Sequence, residues 1–371
     1  MRPSPSARLT GVLTPLGWGT LAGSVALYAA GFALGYPEPV VLATGGLLAL
    51  AAALAWTAPR PRLEVRREVM PLKVPRGDAA VAVLNVANLG RRGLSGLRAQ
   101  DRIGASEHTV DLPRLPKGGA VRTVSYPLPT DVRGEIPVGP LLLVRADPFG
   151  LTRRVRSYGE PVTLLVRPRT VALPVPPSGK AHHLEGPTSD SAPSGTVTFH
   201  TLREYVVGDD LRHVHWRSSA RTGTLMVRQL IDASLPTTTV VLDTRELTEP
   251  AVDAAASVAL AAARAGFPVR LLTGDGPLPD TKDPESVLDR LALVRAGTEG
   301  VTEPLRLARG GGSLVLVTAD PEEAGRAAGA RRRFDRVICV YVGPGDPVAV
   351  PGVRVLPVSS LDALPLMWGS R

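Results

Sequence analysis

Asp209, Asp210, His213, His215, Ser218 and Ser219 crowd into "REYVVGDDLRHVHWRSSARTG" (residues 203–223), together with Trp216 and four arginines. The rest of the chain is rich in Ala, Leu, Val, Gly and Pro. Carboxylates beside imidazoles support two kinds of chemistry, proton transfer and the ligation of a divalent metal. In the first, His215 works with Asp209 or Asp210. In the second, Asp209, Asp210, His213 and His215 serve a metal-dependent hydrolase. Ser218 and Ser219 are nominal nucleophiles, but no G-x-S-x-G elbow surrounds them.

The elements that must carry these groups decide between chemistry and structure. Asp209 and Asp210 follow the turn residue Gly208, where they would cap a helix "LRHVHWRSSART" that starts near Leu211 and ends at Gly223. "LMVRQLI" then resumes as a strand. On such a helix Leu211, His215 and Ser219 share a face, whereas His213 and His215, two apart, diverge. A His-x-His metal pair would need a strand instead. The stretch therefore reads in preference as an Arg, Asp and Trp network that caps a helix and pins it to the domain that follows, with Trp216 buried.

From residue 236 to 371 apolar runs ("TTTVVLD", "PVRLLT", "SLVLVTAD", "RVICVYVG", "VRVLPV") alternate with helical stretches such as "EPAVDAAASVALAAARAG". That alternation implies βα units, a parallel sheet with helices on both faces, and sites beyond the carboxyl ends of the strands. Residues 59–170 instead hold many short β-like runs between turn signals, from "LEVRREV" to "VTLLVRP", broken by segments such as "DVRGEIPVGP". This pattern predicts an antiparallel β-sandwich serving as a spacer or binding platform. Residues 171–200, rich in Pro, Gly and Ser, read as an exposed linker in which His182 and His183 are solvated. Residues 201–235 form the signature segment.

Residues 1–15 form a short tail before two uncharged runs, "LGWGTLAGSVALYAAGFALGY" and "VVLATGGLLALAAALAWTA", joined by "GYPEP". Residues 16–58 thus predict a transmembrane helical hairpin, each run giving about 30 Å of helix. Trp18, Tyr36 and Trp56 fall near the run ends, as interface anchors do. Arg2 and Arg8 precede the first run, and Arg60, Arg62, Arg66, Arg67, Lys73 and Arg76 follow the second, while the joint carries no Lys or Arg. The positive-inside rule puts both ends in the cytoplasm, with the basic collar resting on anionic headgroups. The expected location is the inner (plasma) membrane, multi-pass, with the soluble domains cytoplasmic.

With 43 Lys plus Arg against 34 Asp plus Glu, the net charge is +9 and anionic partners are favoured. Nucleic acid is not expected among them, because aromatics are few and no basic stretch interleaves with them. No cofactor is expected either. No GxGxxG follows the first strand of the α/β part, the glycines of "GGGSLVLV" precede a strand, and "SGKA" lacks the rest of a nucleotide loop. Cys339, the single cysteine, sits in an apolar run and reads as a core residue.

"FHTLREYVVGDDLRHVHWRSSARTGTLMVR" resembles the signature of the bacterial domain of unknown function 58 family. The likeness is carried by Arg203, Glu204, Tyr205, Gly208, Asp209, Asp210, Arg212, His215, Trp216, Ser219, Ala220, Arg221 and Gly223. The two N-terminal runs and "RGEIPVGPLLLVRADPFGL" (133–151) also resemble members of this family. The resemblance implies no established enzymatic activity, a von Willebrand factor A-like (Rossmann-like) C-terminal fold, and proximity to MoxR-type AAA+ ATPases in assembly or chaperone-like work. Factor A domains bind Mg²⁺ through Asp-x-Ser-x-Ser after the first strand. Here "LDTREL" keeps Asp243 but has Arg245 and Leu247 where the serines would be. Asp243, Thr318 and Asp320 are thus the candidates for a degenerate metal site, with the Arg245 guanidinium standing in for the ion. The expected function is a non-enzymatic, membrane-anchored scaffold. It would bind such an ATPase and a client protein through the signature residues.

Overall fold

The computed structural model describes residues 12–59, 61–174, 197–206, 209, 211, 214–232, 237–278, 281, 283–343, 347 and 349–369. It divides into two compact units, Met1–Arg167 and Pro168–Arg371. His182 and His183 lie outside the described residues.

The first unit opens with two helices, α1 (Pro15–Leu34) and α2 (Pro37–Thr57), both long and apolar enough to cross a membrane. Thr14 caps α1 by accepting the Gly17 N–H, and Gly35 turns the chain in the left-handed region at φ 72°. The buried positions of α1 are small and recur every seven residues (Gly17, Ser24, Gly31), and those of α2 are Ala43, Leu50, Ala53 and Thr57. A Cβ on Gly46 would come within 2.2 Å of the Ser24 Oγ, so a larger residue there would push the Ser24 hydroxyl aside. Such small-residue seams hold helices together where hydrocarbon supplies no hydrophobic drive. Phe32, Leu34, Val41, Leu42 and Leu48 face outward.

Nine strands follow: β1 (Leu63–Met70), β2 (Lys73–Pro75), β3 (Ala80–Asn88), β4 (Leu97–Ile103), β5 (Ser106–Asp111), β6 (Val121–Leu128), β7 (Gly134–Ala146), β8 (Arg153–Tyr158) and β9 (Val162–Arg167). They form one sheet of order β1-β3-β6 and another of order β2-β9-β7-β4-β5, with β8 also on β7. All pairs are antiparallel except β2 with β9. Alternating side chains from both sheets, among them Leu84, Val86 and Tyr126 from one and Leu141, Leu143 and Leu164 from the other, share one core. "GEIPVGP", expected to break the chain, is instead the first half of β7. Its Gly134–Val138 pair with β9, while β4 joins from Val138 onward, so Pro137 sits where one edge of the strand is free of a partner strand.

One buried ion pair bridges the sheets. Arg67 of β1 donates to the Asp101 carboxylate of β4 at 2.8 Å and to the carbonyls of Val138 and Glu160, and the Tyr126 hydroxyl donates to the other Asp101 oxygen. Arg67 is therefore not part of a lipid-facing basic collar: its side chain is only 4% exposed.

The loop between β7 and β8 holds the ends of both helices. The Thr14 N–H donates to the Leu151 carbonyl (3.0 Å), the Thr14 hydroxyl to the Gly150 carbonyl (2.6 Å), and the Arg153 N–H to the Val12 carbonyl (2.8 Å). On α2, the Thr152 hydroxyl donates to the Ala53 carbonyl and meets the Thr57 hydroxyl at 3.1 Å. Leu151 packs in a cluster with Leu13, Leu21, Ala49, Leu50 and Ala53. A Cβ on Gly17 would stand 2.1 Å from the Leu151 carbonyl oxygen, so only glycine fits there.

The second unit begins with β10 (Val197–Glu204), α3 (Trp216–Thr222) and β11 (Met226–Asp232), the two strands pairing antiparallel. Then come β12 (Thr238–Leu242), α4 (Glu249–Arg264), β13 (Val269–Thr273), β14 (Gly276–Pro277), α5 (Pro284–Leu293), α6 (Thr302–Leu307), β15 (Ser313–Thr318), α7 (Pro321–Arg326), β16 (Arg336–Tyr341), β17 (Arg354–Pro357) and α8 (Leu364–Gly369). The sheet order is β14-β13-β12-β15-β16-β17, parallel apart from the two-residue edge strand β14. Residues of α4, α5 and α8 build the core on one face, and those of α6 and α7 the core on the other. Continuous apolar runs on β12, β15 and β16 are what such two-sided burial requires. Cys339 lies fully buried on β16.

Candidate functional site

Counted from β12, the five parallel strands run 2-1-3-4-5. The chain leaves β12 on one side to make β13 and returns on the other as β15. Ligand crevices in open α/β sheets lie where the order reverses, beyond the carboxyl ends. Asp243 follows β12 at that point, and Thr318 to Asp320 close β15 beside it.

The candidate metal residues do come together. The Thr318 hydroxyl donates to Asp243 Oδ2 at 2.7 Å, and the Asp320 N–H donates to the Thr318 oxygen at 3.0 Å. Asp320 also caps α7, its Oδ1 accepting the Glu322 N–H. Arg245 enters the cluster differently from the expectation. Its main-chain N–H, not its guanidinium, reaches Asp243 Oδ1 (3.1 Å). The guanidinium goes to Asp320 (2.5 Å) and to Glu323 (2.8 Å). Glu323 is 0% exposed, and a buried carboxylate persists only when paired and hydrogen-bonded. Arg245, Arg326 and the Val301 N–H together satisfy it. Glu323, foremost among its neighbours, holds the Arg245 guanidinium above its ordinary pKa.

A divalent cation needs several oxygen lone pairs aimed at one centre. Here both Asp243 oxygens, both Asp320 oxygens and both Glu323 oxygens accept N–H or O–H donors. The residues do not fit a cation as they are arranged, because arginine already occupies the position between two of the carboxylates. Sequence reading missed Glu323. Its one signal is the run "DPEE" after a strand, where the second Glu turns inward two residues past a Pro-initiated helix start.

The signature segment is arranged otherwise than its sequence implies. The helix α3 starts at Trp216, not near Leu211, and its cap is His215: Nδ1 accepts the Ser218 N–H at 3.2 Å and meets the Ser218 hydroxyl at 2.7 Å. Asp209 caps no helix among the described residues. It forms a two-bond pair with Arg203 (2.6 and 2.8 Å) and accepts the Val206 N–H. Arg203 holds the Asp209 carboxyl below the usual carboxylate range, the Val206 N–H adding to the effect. Val214 bridges to Val227, and the His215 N–H donates to the Met226 carbonyl, so β-type pairing takes Val214 and His215 out of the expected helix, while the Leu211 carbonyl accepts the Val214 N–H in a tight turn. Gly223 ends α3 at φ 76°, as its position suggested. The Ser219 hydroxyl donates to the His215 carbonyl, and its oxygen accepts the Met226 N–H, tying α3 to β11.

Trp216, expected to be buried, is 67% exposed. Val206, Leu211 and Leu225 are exposed as well, and Arg221 lies in the last turn of α3, where a cation suits the helix dipole. Glu204 ends β10 and the Tyr205 N–H donates to the Leu225 carbonyl. Gly208, Asp210, Arg212 and His213 lie outside the described residues.

Residues 201–276 match the model of a family described as "Protein of unknown function DUF58". The match spans the signature segment and runs on through β12, α4 and β13, and it supports the family resemblance of that stretch. No curated protein matches the chain. Among solved structures, the CARDB domain of a Pyrococcus furiosus protein, crystallised in complex with di-metal ions, is 16% identical over 29% of this chain and 93% of that one, with a TM-score of 0.21. The C-terminal domain of wzt is 12% identical over 29% of this chain and 78% of that one, at 0.23. The alkylpurine DNA glycosylase AlkC of Pseudomonas fluorescens is 12% identical over 34% of this chain and 40% of that one, at 0.20.

Proposed function

We propose that the chain is a membrane-anchored scaffold whose signature segment docks partner proteins, a MoxR-type AAA+ ATPase and its client. In this reading α1 and α2 span the inner (plasma) membrane, both ends of the chain lie in the cytoplasm, and the second unit is a von Willebrand factor A-like platform. The carrying observation is Trp216, which stands exposed with Val206, Leu211 and Leu225 in the stretch that the family model matches. Exposed tryptophan is the residue type most enriched at binding hot spots, and water-facing apolar groups of this size mark interaction surfaces. The switch-point carboxylates, closed on Arg245, suit a rigid support rather than a reaction centre.

The test is capture from detergent-solubilised membranes with the tagged full chain, in the presence of a slowly hydrolysed ATP analogue. An ATPase should be retained, and Trp216→Ala should weaken its retention about tenfold or more, as loss of a hot-spot side chain costs about 2 kcal/mol. Equal retention by the wild-type and substituted chains would remove the proposed surface.

A hydrolytic reading rests on the 2.7 Å contact between Ser218 Oγ and His215 Nδ1, which has the reach of a nucleophile beside its base. The same nitrogen takes the Ser218 N–H, as a helix cap does, and Asp209 is committed to Arg203. Capping explains the pair without catalysis. Covalent labelling of Ser218 in the full chain by a fluorophosphonate, lost in Ser218→Ala, would decide for the enzyme.

A further inference from the structure

The loop that clasps the hairpin carries one side chain that the fold leaves unused. Phe149, in Asp147-Pro148-Phe149-Gly150-Leu151-Thr152, is 69% exposed, although the residues on either side of it are tied down. Asp147 accepts the Phe149 and Thr152 N–H groups and donates its own to the Thr152 carbonyl, the Gly150 N–H donates to the Asp147 carbonyl, and Thr14 takes up the Gly150 and Leu151 carbonyls. Most of the main-chain groups flanking the tip are thus satisfied by protein, as non-helical backbone at membrane depth requires.

Its depth can be read from the helices. Leu151 packs in one cluster with Ala49 of α2 and Leu21 of α1. Ala49 lies about two turns, or about 11 Å, in from the end of α2. Because α2 is about as long as the hydrocarbon layer is thick, that point falls at or below the headgroups. Behind it stand the arginines of β7 and β8. Arg145 and Arg154 oppose each other across the strand pair, a like-charge placement that costs stability by itself, and they donate to the carbonyls of Pro59 and Ala58 just past α2. Arg153, the neighbour of Arg154 on the strand, lies on the other face and donates to Gln100 Oε1.

We propose that this loop is a bilayer wedge, with Phe149 entering the boundary between headgroups and acyl chains while Arg145 and Arg154 face anionic headgroup phosphates. The proposal rests on the reading of α1 and α2 as membrane spans. It adds a second, non-helical contact that fixes how the first unit sits on the bilayer. An aromatic tip backed by cations is the chemistry that an anionic lipid surface takes up.

The test uses the full chain with Phe149→Cys, labelled with an environment-sensitive fluorophore and reconstituted into vesicles that carry spin-labelled lipid. Cys339 is buried and its thiol is pushed up to about 12, so the new cysteine takes the label. Val132→Cys is the reference: it is exposed just before the opposite end of β7, and the thirteen residues of that strand span about 40 Å. The Phe149 probe should shift to the blue and lose emission to the spin label, more so with phosphatidylglycerol than with phosphatidylcholine alone, while the Val132 probe does neither. Quenching of the Phe149 probe no greater than that of the Val132 probe, in a chain that floats with the vesicles, would overturn the wedge and leave the spans standing. An equal response in both lipid mixtures would take the arginines out of it. A chain that fails to float would overturn the spans and the wedge together.

Discussion

Arg67 and Asp101 show how a few side chains commit the first unit to one arrangement. Each is almost wholly buried, and with the Tyr126 hydroxyl on Asp101 the pair makes a polar link between two sheets that also share an apolar core. Removing one partner strands the other charge, which typically costs about 3–5 kcal/mol, whereas apolar replacement of both is often neutral. Arg67→Met should therefore lower the thermal midpoint sharply, and Arg67→Met with Asp101→Leu should recover much of the loss, as followed by circular dichroism in detergent. Similar losses in the single and double variants would show that the pair acts through packing alone. Side chains were also where sequence reading failed most plainly. Arg67 looked like one more cation of the collar, because a charge in a run of alternating residues gives no sign that its partner lies on another sheet. Trp216 looked like core because most tryptophans are largely buried, and Asp209 looked like a cap until Arg203, six residues earlier, proved to hold it.

Elements were far more legible. Period-two alternation located most strands of the first unit, and apolar runs between Ala-rich stretches located the parallel strands, because burial on one face or on two leaves different patterns. β7 was cut short in the reading, since Gly134, Pro137, Gly139 and Pro140 mimic a turn when the partner strand is unknown. The two helices were legible by length and lack of charge, but their seam was not. It depends on which glycines face inward. Gly46 packs against the Ser24 hydroxyl, where a Cβ would come within 2.2 Å, whereas Gly45 faces open space. Gly46→Leu should separate α1 from α2 and lower the unfolding midpoint in detergent, while Gly45→Leu should leave it nearly unchanged. Equal effects would mean that the seam lies elsewhere.

At the scale of the whole molecule, each unit carries its own hydrophobic core, so anchoring and docking can be altered separately. The bundle of carboxylates at the strand reversal has a consequence for how such a platform responds to its surroundings. Arg245 is covalently part of the chain and cannot be washed out, exchanged or outcompeted, as a dissolved ion can. If partners dock as proposed, capture by the full chain should persist undiminished in EDTA, because withdrawing divalent ions would leave this cluster intact.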